Sequence, residues 1–428
     1  MRESFSKTHV KSKPLILPFA FALLVTSLLS RGDEPRIDFE KAHRIYDRSK
    51  RGEPITDEER AYMQRAIQAQ KQSKGEEEKS PQSSAPLWSG HLTPLTELGT
   101  AKYKGEDGGL YGGGKNEPPK VHLEAALKES AKIQPLDADG KPAKDGKIVL
   151  LSIGMSNTTM EYSEFKKIAE ADPRKSPHVV VVDGAKGART GMAWALDGVD
   201  MLPPEEEPRL LKQMESVGRK VTKGFGDTWS GVETKLKADG VTPQQVQVLW
   251  IKQAEAMPAK LGDYPAHART LQANLTDILN IAKRRYPNLR VAYLSSRIYG
   301  GYATTPLNPE PYAYEEAFAM RWLIQAQIQG EPRLNFDPAR GAVQAPPVLW
   351  GPYLWADGTT PRKADGLVWK PEDFVSTDHT HPSPDGRQKV ARLLLNFFKA
   401  DEAASRWFVK PGEKAPPGDR LNPSRTEP

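Results

Sequence analysis

Short apolar runs alternate with longer helical patterns over the last two thirds of the chain. The runs lie at 148–153, 178–182, 246–251 and 290–294, and helical patterns fall between or after them at 205–217, 268–285 and 314–329. Strands that alternate with helices form a parallel sheet that is covered on both faces. We therefore expect an α/β fold, a three-layer sandwich with a mostly parallel sheet flanked by helices.

The first 30 residues have the pattern of a signal peptide. Basic residues precede an apolar run at 14–29, and the small residue Ser30 follows it. An uncleaved membrane anchor is the alternative, but Pro14 and Pro18 interrupt the run, which barely reaches the ~17 residues needed to span a bilayer. We expect a secreted or periplasmic protein with no stable membrane span after cleavage.

Charge and cysteine content exclude several classes of function. The net charge is +6, and the leader supplies three of these charges because it has four basic residues and Glu3. A mildly basic mature chain gives little support to nucleic-acid binding. The chain has no cysteine, which excludes disulfides, thiolate catalysis and Cys-ligated zinc.

The composition changes several times along the chain. Residues 31–90 are expected to form a charged helical segment and a polar linker, with two helices in 38–72 and a capping box of Thr56 and Glu59. A solvated helical hairpin is favoured over a binding module there, and the domain boundary is placed in the linker at 73–86. A Gly-rich lead-in at 91–146, the main domain at 147–410 and a disordered tail at 411–428 are expected to follow.

Ligands of parallel sheets bind beyond the carboxyl ends of the strands. The first strand is followed by Ser156, whose hydroxyl and backbone N–H suit a nucleophile and an oxyanion donor. Helix capping by Ser156 or Asn157 is the alternative. The second strand is followed by Gly187 and Ala188, where a plain turn explains the sequence nearly as well as a ligand-binding loop.

The last predicted element contributes a histidine with a carboxylate partner. Asp378 stands three residues before His381, in a turn that leads into the closing helix, so the carboxylate can orient the ring while the ring acts as a base. His379 is the competing base, but it stands directly beside Asp378 and would be oriented differently. Metal binding by this block would need a further ligand that no motif supplies, so neither a metal nor another cofactor is expected.

The order of these parts resembles the SGNH hydrolases, or GDSL esterase and lipase superfamily, over residues 147–400. In that family a serine follows the first strand, a glycine the second, an asparagine the third, and an Asp-x-x-His block precedes the last helix. The resemblance implies a flavodoxin-like fold, with Ser156 as nucleophile, His381 as general base and Asp378 as the residue that orients it. It also places the oxyanion glycine at Gly187 or Ala188.

Two positions depart from the family pattern. The nucleophile block reads Gly-Met-Ser-Asn rather than Gly-Asp-Ser, so Met155 replaces an aspartate. The Gly-x-Asn-Asp block expected after the third strand is replaced by residues 252–255, where Gln253 is the candidate for the missing amide donor. Loss of one such donor costs on the order of 3 kcal/mol in transition-state stabilisation.

The expected substrate class follows from export and from the aromatic content. Arg297 and Tyr299 after the fourth strand, and Trp355 before the acid and base, are candidates for the substrate wall. Aromatic faces suit sugar rings, although most tryptophans in a domain of this size pack in the core; seven lie in this domain: Trp194, Trp229, Trp250, Trp322, Trp350, Trp355 and Trp369.

We expect a secreted serine esterase that forms an acyl-enzyme and removes ester-linked acyl groups, with an ester or acylated carbohydrate as substrate. The alternatives are a non-catalytic carbohydrate-binding or cell-envelope protein on the same fold and, third, acyl transfer in place of hydrolysis. The sequence does not indicate how many copies of the chain assemble.

Overall fold

The computed structural model describes residues 38–50, 53–77, 85–218 and 227–412. The predicted signal peptide, residues 78–84 of the predicted linker and residues 413–428 of the predicted tail lie outside this part of the chain. The chain divides into two compact units, Met1–Gln82 and Ser83–Pro428.

The first unit contains two helices, α1 (Phe39–Lys50) and α2 (Asp57–Glu77), at the positions predicted. The capping box at the start of α2 is present, since the Glu59 N–H donates to Thr56 Oγ1 at 3.1 Å and the Thr56 N–H donates to Glu59 Oε2 at 3.0 Å. Among the side chains of the pair that the structure describes, Ala42, Ile45 and Ala66 are apolar and buried.

The second unit is built on a five-stranded, all-parallel sheet in the order β2-β1-β3-β4-β5. The fold is the predicted α/β three-layer sandwich. Apolar β-branched residues make these strands almost wholly buried, as a sheet covered on both faces requires. The strands are β1 (Ile148–Gly154), β2 (Val179–Val182), β3 (Val246–Lys252), β4 (Val291–Leu294) and β5 (Val348–Trp350).

Helices cover both faces of the sheet. Packing contacts group α4 with α10, α11 and α3, and group α8 with α5 and α9. The helices of this unit are α3 (Lys120–Ser130), α4 (Ser156–Ala171), α5 (Gly191–Leu196), α6 (Glu206–Ser216), α7 (Thr228–Ala238), α8 (Ala266–Arg285), α9 (Tyr312–Gln329), α10 (Pro384–Ala400) and α11 (Glu402–Phe408). Among the described residues no helix is both long and apolar enough to cross a bilayer.

The strand order determines where a ligand can bind. The chain moves from β1 to β2 on one side and then crosses to β3 on the other, so the carboxyl ends of β1 and β3 flank the topological switch point. Crevices in sheets of this flavodoxin-like order form at that point. Ser156 and Gln253 follow these two strands.

The segment at 91–146, predicted as a lead-in, is an integral part of the second unit. Leu95, Ala126 and Ile133 from this segment belong to the same core cluster as the strands. The Gly-rich stretch packs on α9, where the Gln325 side chain donates to the Tyr111 carbonyl at 3.0 Å. Glycine spacing alone did not reveal these apolar anchors, which lie on either side of the run.

Candidate active site

Ser156 lies at the carboxyl end of β1 as the first residue of α4. Gly154 allows this sharp connection, because a Cβ at that position would overlap with Thr158 Oγ1 and with the Lys252 carbonyl of β3. The Ser156 hydroxyl lies 2.7 Å from His381 Nε2, across 225 residues of sequence. Neither Ser156 nor Asn157 caps α4 with its side chain, so the capping alternative is wrong.

His381 is held by Asp378 in the turn before α10. Its Nδ1 lies 2.5 Å from Asp378 Oδ2, while Asp378 Oδ1 accepts the backbone N–H groups of Thr380 at 2.8 Å and His381 at 3.0 Å. With Nδ1 protonated toward the carboxylate, Nε2 is left to accept the Ser156 proton. The three side chains form one continuous hydrogen-bonded chain.

The electrostatics of the turn keep Asp378 ionised. Burial by itself would raise the pKa of the Asp378 carboxyl, but hydrogen bonds from the ring and backbone of His381 and from the Thr380 backbone hold that pKa below its usual value. An ionised Asp378 stabilises the imidazolium that forms when His381 takes a proton.

His379, the competing base, takes no part in this chain of hydrogen bonds. Its backbone is left-handed, with φ of 47°, and its N–H donates to the Val375 carbonyl at 3.0 Å. Within the described residues its Nδ1 is buried and has no hydrogen-bond partner. The geometry therefore favours His381. No group of three or more His, Asp or Glu side chains in the described parts of the chain is arranged to hold a metal ion.

The loop after β2 lies beside Ser156. A Cβ at Gly187 would stand 4.0 Å from Ser156 Cβ, and the next residue, Ala188, has a left-handed φ of 60°. Both residues are exposed. The Ser156 N–H stands at the first turn of α4, where backbone donors have no acceptor within the helix. The N–H groups of Ser156 and of this loop are therefore placed to meet a developing oxyanion.

Ion pairs and hydrogen bonds hold that loop on both sides. Asp227, at the start of α7, accepts from Lys186 Nζ at 2.6 Å and from Arg189 Nη2 at 2.7 Å. Burial by itself would raise the pKa of Asp227, but these two cations hold it below its usual value. On the other side the Lys186 N–H donates to the Gly154 carbonyl at 3.1 Å.

Gln253 supports the loop instead of facing the open site. Its Nε2 donates to the Arg189 carbonyl at 3.3 Å, and the residue is 0% exposed. A substrate oxygen cannot reach a side chain with no exposure unless the site rearranges. The sequence placed Gln253 correctly at the end of β3 but could not show where its amide points.

The predicted substrate wall is mostly buried. Arg297 is 1% exposed and donates to Asn308 Oδ1 at 3.1 Å, and Trp355 is 0% exposed with its indole N–H on Glu310 Oε1 at 2.6 Å. Tyr299, 7% exposed, packs edge-on against Trp355. Arg297 and Trp355 were therefore wrong as wall residues, because buried acceptors behind the site draw their polar groups inward. The seven tryptophans considered as sugar platforms are all buried.

A buried ion pair beneath the nucleophile was not predicted. Lys252, the last residue of β3, lies 2.5 Å from a carboxylate oxygen of Glu161 on α4, and both side chains are fully buried. Burial lowers the pKa of Lys252 to about 8, although the Glu161 charge opposes that effect. The Lys252 carbonyl also accepts from Thr158 Oγ1 at 2.7 Å. These contacts join the first two turns of α4 to β3.

Two buried glutamates lie behind the site with raised pKa values. Burial raises the pKa of Glu316 to about 8 and that of Glu310 to about 7, against hydrogen bonds that lower both. Burial also lowers the pKa of the neighbouring Arg297, against the attraction of both carboxylates. In the sequence, the one sign of buried charge in this region was Lys252, a lysine at the end of an apolar strand.

The chain was also compared with known proteins. No protein-family model matches it, and a search of curated proteins finds no significant match.

Proposed function

We propose that this protein is a serine esterase that works through an acyl-enzyme. The observation that carries the proposal is the hydrogen-bonded chain from Ser156 Oγ through both ring nitrogens of His381 to Asp378. A nucleophile within reach of a base, which a third group orients, is the arrangement that activates a serine hydroxyl.

The proposed reaction has two steps. Ser156 Oγ attacks the ester carbonyl as its proton passes to His381 Nε2, and the oxyanion is met by the N–H groups of Ser156 and the 187–188 loop. The C–O bond to the alcohol then breaks, and His381 returns the proton to the departing alcohol. Water, deprotonated by His381, attacks the acyl-enzyme. The tetrahedral intermediate then releases the acid, and His381 returns the proton to Ser156 Oγ.

The oxyanion site favours esters over amides. Gln253 is buried, so the site as it stands offers backbone donors from Ser156 and the glycine loop. One missing donor costs on the order of 3 kcal/mol. An ester tolerates such a loss better than an amide, because its carbonyl is more reactive and an alcohol leaves more easily than an amine. We therefore propose ester-linked acyl groups, on carbohydrate or another alcohol, as substrates.

Hydrolysis of 4-nitrophenyl acetate tests the proposal. Ser156→Ala and His381→Ala are each expected to lower kcat by at least about 10³-fold, since the triad loses its function when either the nucleophile or the base is removed. His379→Asn is the matched control, because asparagine tolerates the left-handed backbone of His379. Unchanged turnover in Ser156→Ala would refute the proposed nucleophile.

A non-catalytic, carbohydrate-binding role is the second candidate. The buried state of Gln253 favours it, since the third strand then supplies no exposed amide to the site. A wild-type chain that binds saccharides but hydrolyses neither aryl acetates nor acetylated sugars would support this role over the esterase.

We also propose that the protein is exported, on the basis of the basic and apolar leader within residues 1–30. Amino-terminal sequencing of the protein recovered from cell fractions tests this proposal. A mature chain that starts near residue 31 outside the cytoplasm is expected, and an intact Met1 in the cytoplasmic fraction would contradict it.

A further inference from the structure

The segment of residues 87–97 begins close to the acid–base turn of the proposed active site. The Leu87 N–H donates to the Ala303 carbonyl at 3.0 Å, and the next residue, Thr304, donates its N–H to the Asp378 carbonyl at 3.1 Å. Two backbone hydrogen bonds thus connect the start of this segment to the carboxylate residue of the triad. The other end is anchored in the core by Leu95, which is 0% exposed.

Unusually exposed apolar side chains lie on this segment. Leu87 is 53% exposed and is one of two large exposed hydrophobic residues in the described chain. All nine tryptophans lie in the described residues, and Trp88 alone is not buried. Trp88 is half-buried, with its ring against Gly90, and the exposed part of an indole suits the apolar face of a sugar ring.

A small pocket with both polar and apolar lining begins at His91. It has a volume of about 270 Å³ and is lined by residues that include His91, Pro94, Asp357, Thr360 and Lys363. This volume lies just below the ~300–1,000 Å³ found for ligand pockets, which suits one ring-sized group.

Asp357 gives the pocket its chemistry. The side chain is 8% exposed, its Oδ2 is 2.8 Å from His91 Nδ1, and its Oδ1 is buried without a hydrogen-bond partner in the described residues. A buried carboxylate oxygen without a donor is costly. His91 is 85% exposed, so its ring can swing away at the loss of one solvent-exposed contact and free Asp357 Oδ2 for a ligand.

The pocket lining carries charges of both signs. Asp357 and Glu97 line it together with Lys363 and His91. A carboxylate accepts two hydrogen bonds side by side, which adjacent hydroxyl groups can donate. A sugar offers such hydroxyl pairs together with an apolar ring face.

We propose that residues 87–97, together with Asp357, form a saccharide-binding surface alongside the active site, with Trp88 against a sugar ring and Asp357 as acceptor for a pair of hydroxyls. This inference deepens the proposed function and rests on it for the link to catalysis, since it assigns the alcohol part of the ester to a neutral saccharide.

Calorimetric titration of the full-length Ser156→Ala chain tests saccharide binding independently of turnover. The probes are xylotriose, cellotriose, mannotriose and N,N′,N″-triacetylchitotriose, with putrescine as a cationic control. At least one of these neutral trisaccharides is expected to bind. Asp357→Asn is expected to weaken that binding by about tenfold or more, the size of a lost hydrogen bond to a charged group, and Trp88→Ala is expected to weaken it through the lost ring contact.

Asp239→Asn is the matched control, because Asp239 is a half-buried, ion-paired aspartate at the far end of α7. Three results would overturn the inference: binding by none of the four saccharides, binding by putrescine alone, or binding that Asp357→Asn and Trp88→Ala leave unchanged. Loss of aryl acetate hydrolysis concerns the proposed function alone, so failure of one can be told from failure of the other.

Discussion

The Asn157 side chain donates to the Thr380 carbonyl at 2.9 Å, across 223 residues of sequence. This bond joins the first turn of the nucleophile helix to the turn that carries Asp378 and His381. Asn157 is 2% exposed, so water cannot replace the bond easily. The distance between Ser156 and His381 therefore depends on a residue that takes no part in the proton transfers.

Asn157→Ala is expected to lower kcat roughly tenfold with a smaller change in KM. A buried hydrogen-bond partner left unsatisfied costs about 1–3 kcal/mol, and the bond holds the nucleophile helix against the base. Asn280→Ala is the control, because Asn280 on α8 is 3% exposed and its side chain donates to the Arg333 carbonyl at 2.7 Å. Steady-state kinetics with an aryl acetate decide the matter, and equal effects of both variants would refute a positioning role.

Asp227→Ala should lower kcat by roughly two- to tenfold. The change removes the common partner of Lys186 and Arg189 on either side of the 187–188 turn. The expected effect is modest because exposed ion pairs contribute about 0–1 kcal/mol each. Asp239→Ala, which breaks the ion pair between Asp239 at the other end of α7 and Lys166 of α4, is expected to leave kcat unchanged. The same rate in the Asp227 and Asp239 variants would contradict the role of Asp227 in holding the loop.

Lys252→Met is expected to destabilise the fold by about 3–5 kcal/mol, because it leaves Glu161 charged and buried without its partner. The double change Lys252→Met with Glu161→Leu should recover most of that loss, since an apolar pair of similar volume needs no counterion. Chemical denaturation of Lys252→Met, Glu161→Leu and the double variant measures the coupling. A single variant as stable as wild type would show that the buried pair is not charged.

Stability should fall as the pH rises from about 5 to 7.5. A carboxyl whose folded pKa is raised binds its proton more tightly in the folded state, so its contribution is present below the unfolded pKa and is lost as the pH rises through the folded value. The pKa of Glu316 is raised from 4.5 to about 8 and that of Glu310 from 4.5 to about 7. Lys252 stays protonated in both states until about pH 8 and does not contribute in this window.

Glu316→Gln should therefore make the free energy of unfolding less dependent on pH. A tenfold difference in proton affinity between the folded and unfolded states corresponds to about 1.4 kcal/mol, so the change across the window should reach a few kcal/mol. Glu233→Gln, an exposed glutamate, is the control and should keep the wild-type slope. Denaturation midpoints at several pH values measure both slopes; identical slopes would contradict the buried location of Glu316.

Much of the sheet was predictable from the sequence because buried parallel strands appear as apolar runs. Val246–Lys252 and Ile148–Gly154 stand out in this way. The fifth strand, Val348–Trp350, has three residues directly after two prolines and is too short to be distinguished from a loop. Its pairing with β4 depends on the neighbouring strand, which local sequence does not reveal.

The candidate site was predictable where strand ends and spacing determine it. The approach of Ser156 to His381 follows from a parallel sheet whose carboxyl ends share one edge. The directions of the Arg297 and Trp355 side chains were not predictable, since they depend on hydrogen bonds to Asn308 and Glu310 in the loop between β4 and α9. Trp88 was missed because it lies at the edge of a polar, linker-like stretch, where composition hides a single aromatic residue.

Labelling with diisopropyl fluorophosphate tests the central claim most directly. An activated serine attacks phosphorus, the P–F bond breaks and fluoride leaves, so the enzyme gains one diisopropylphosphoryl group. Peptide mapping by mass spectrometry is predicted to find a single adduct, on Ser156, and to find it strongly reduced in His381→Ala. A wild-type chain that remains unlabelled, or that carries its adduct on another serine, would contradict the account.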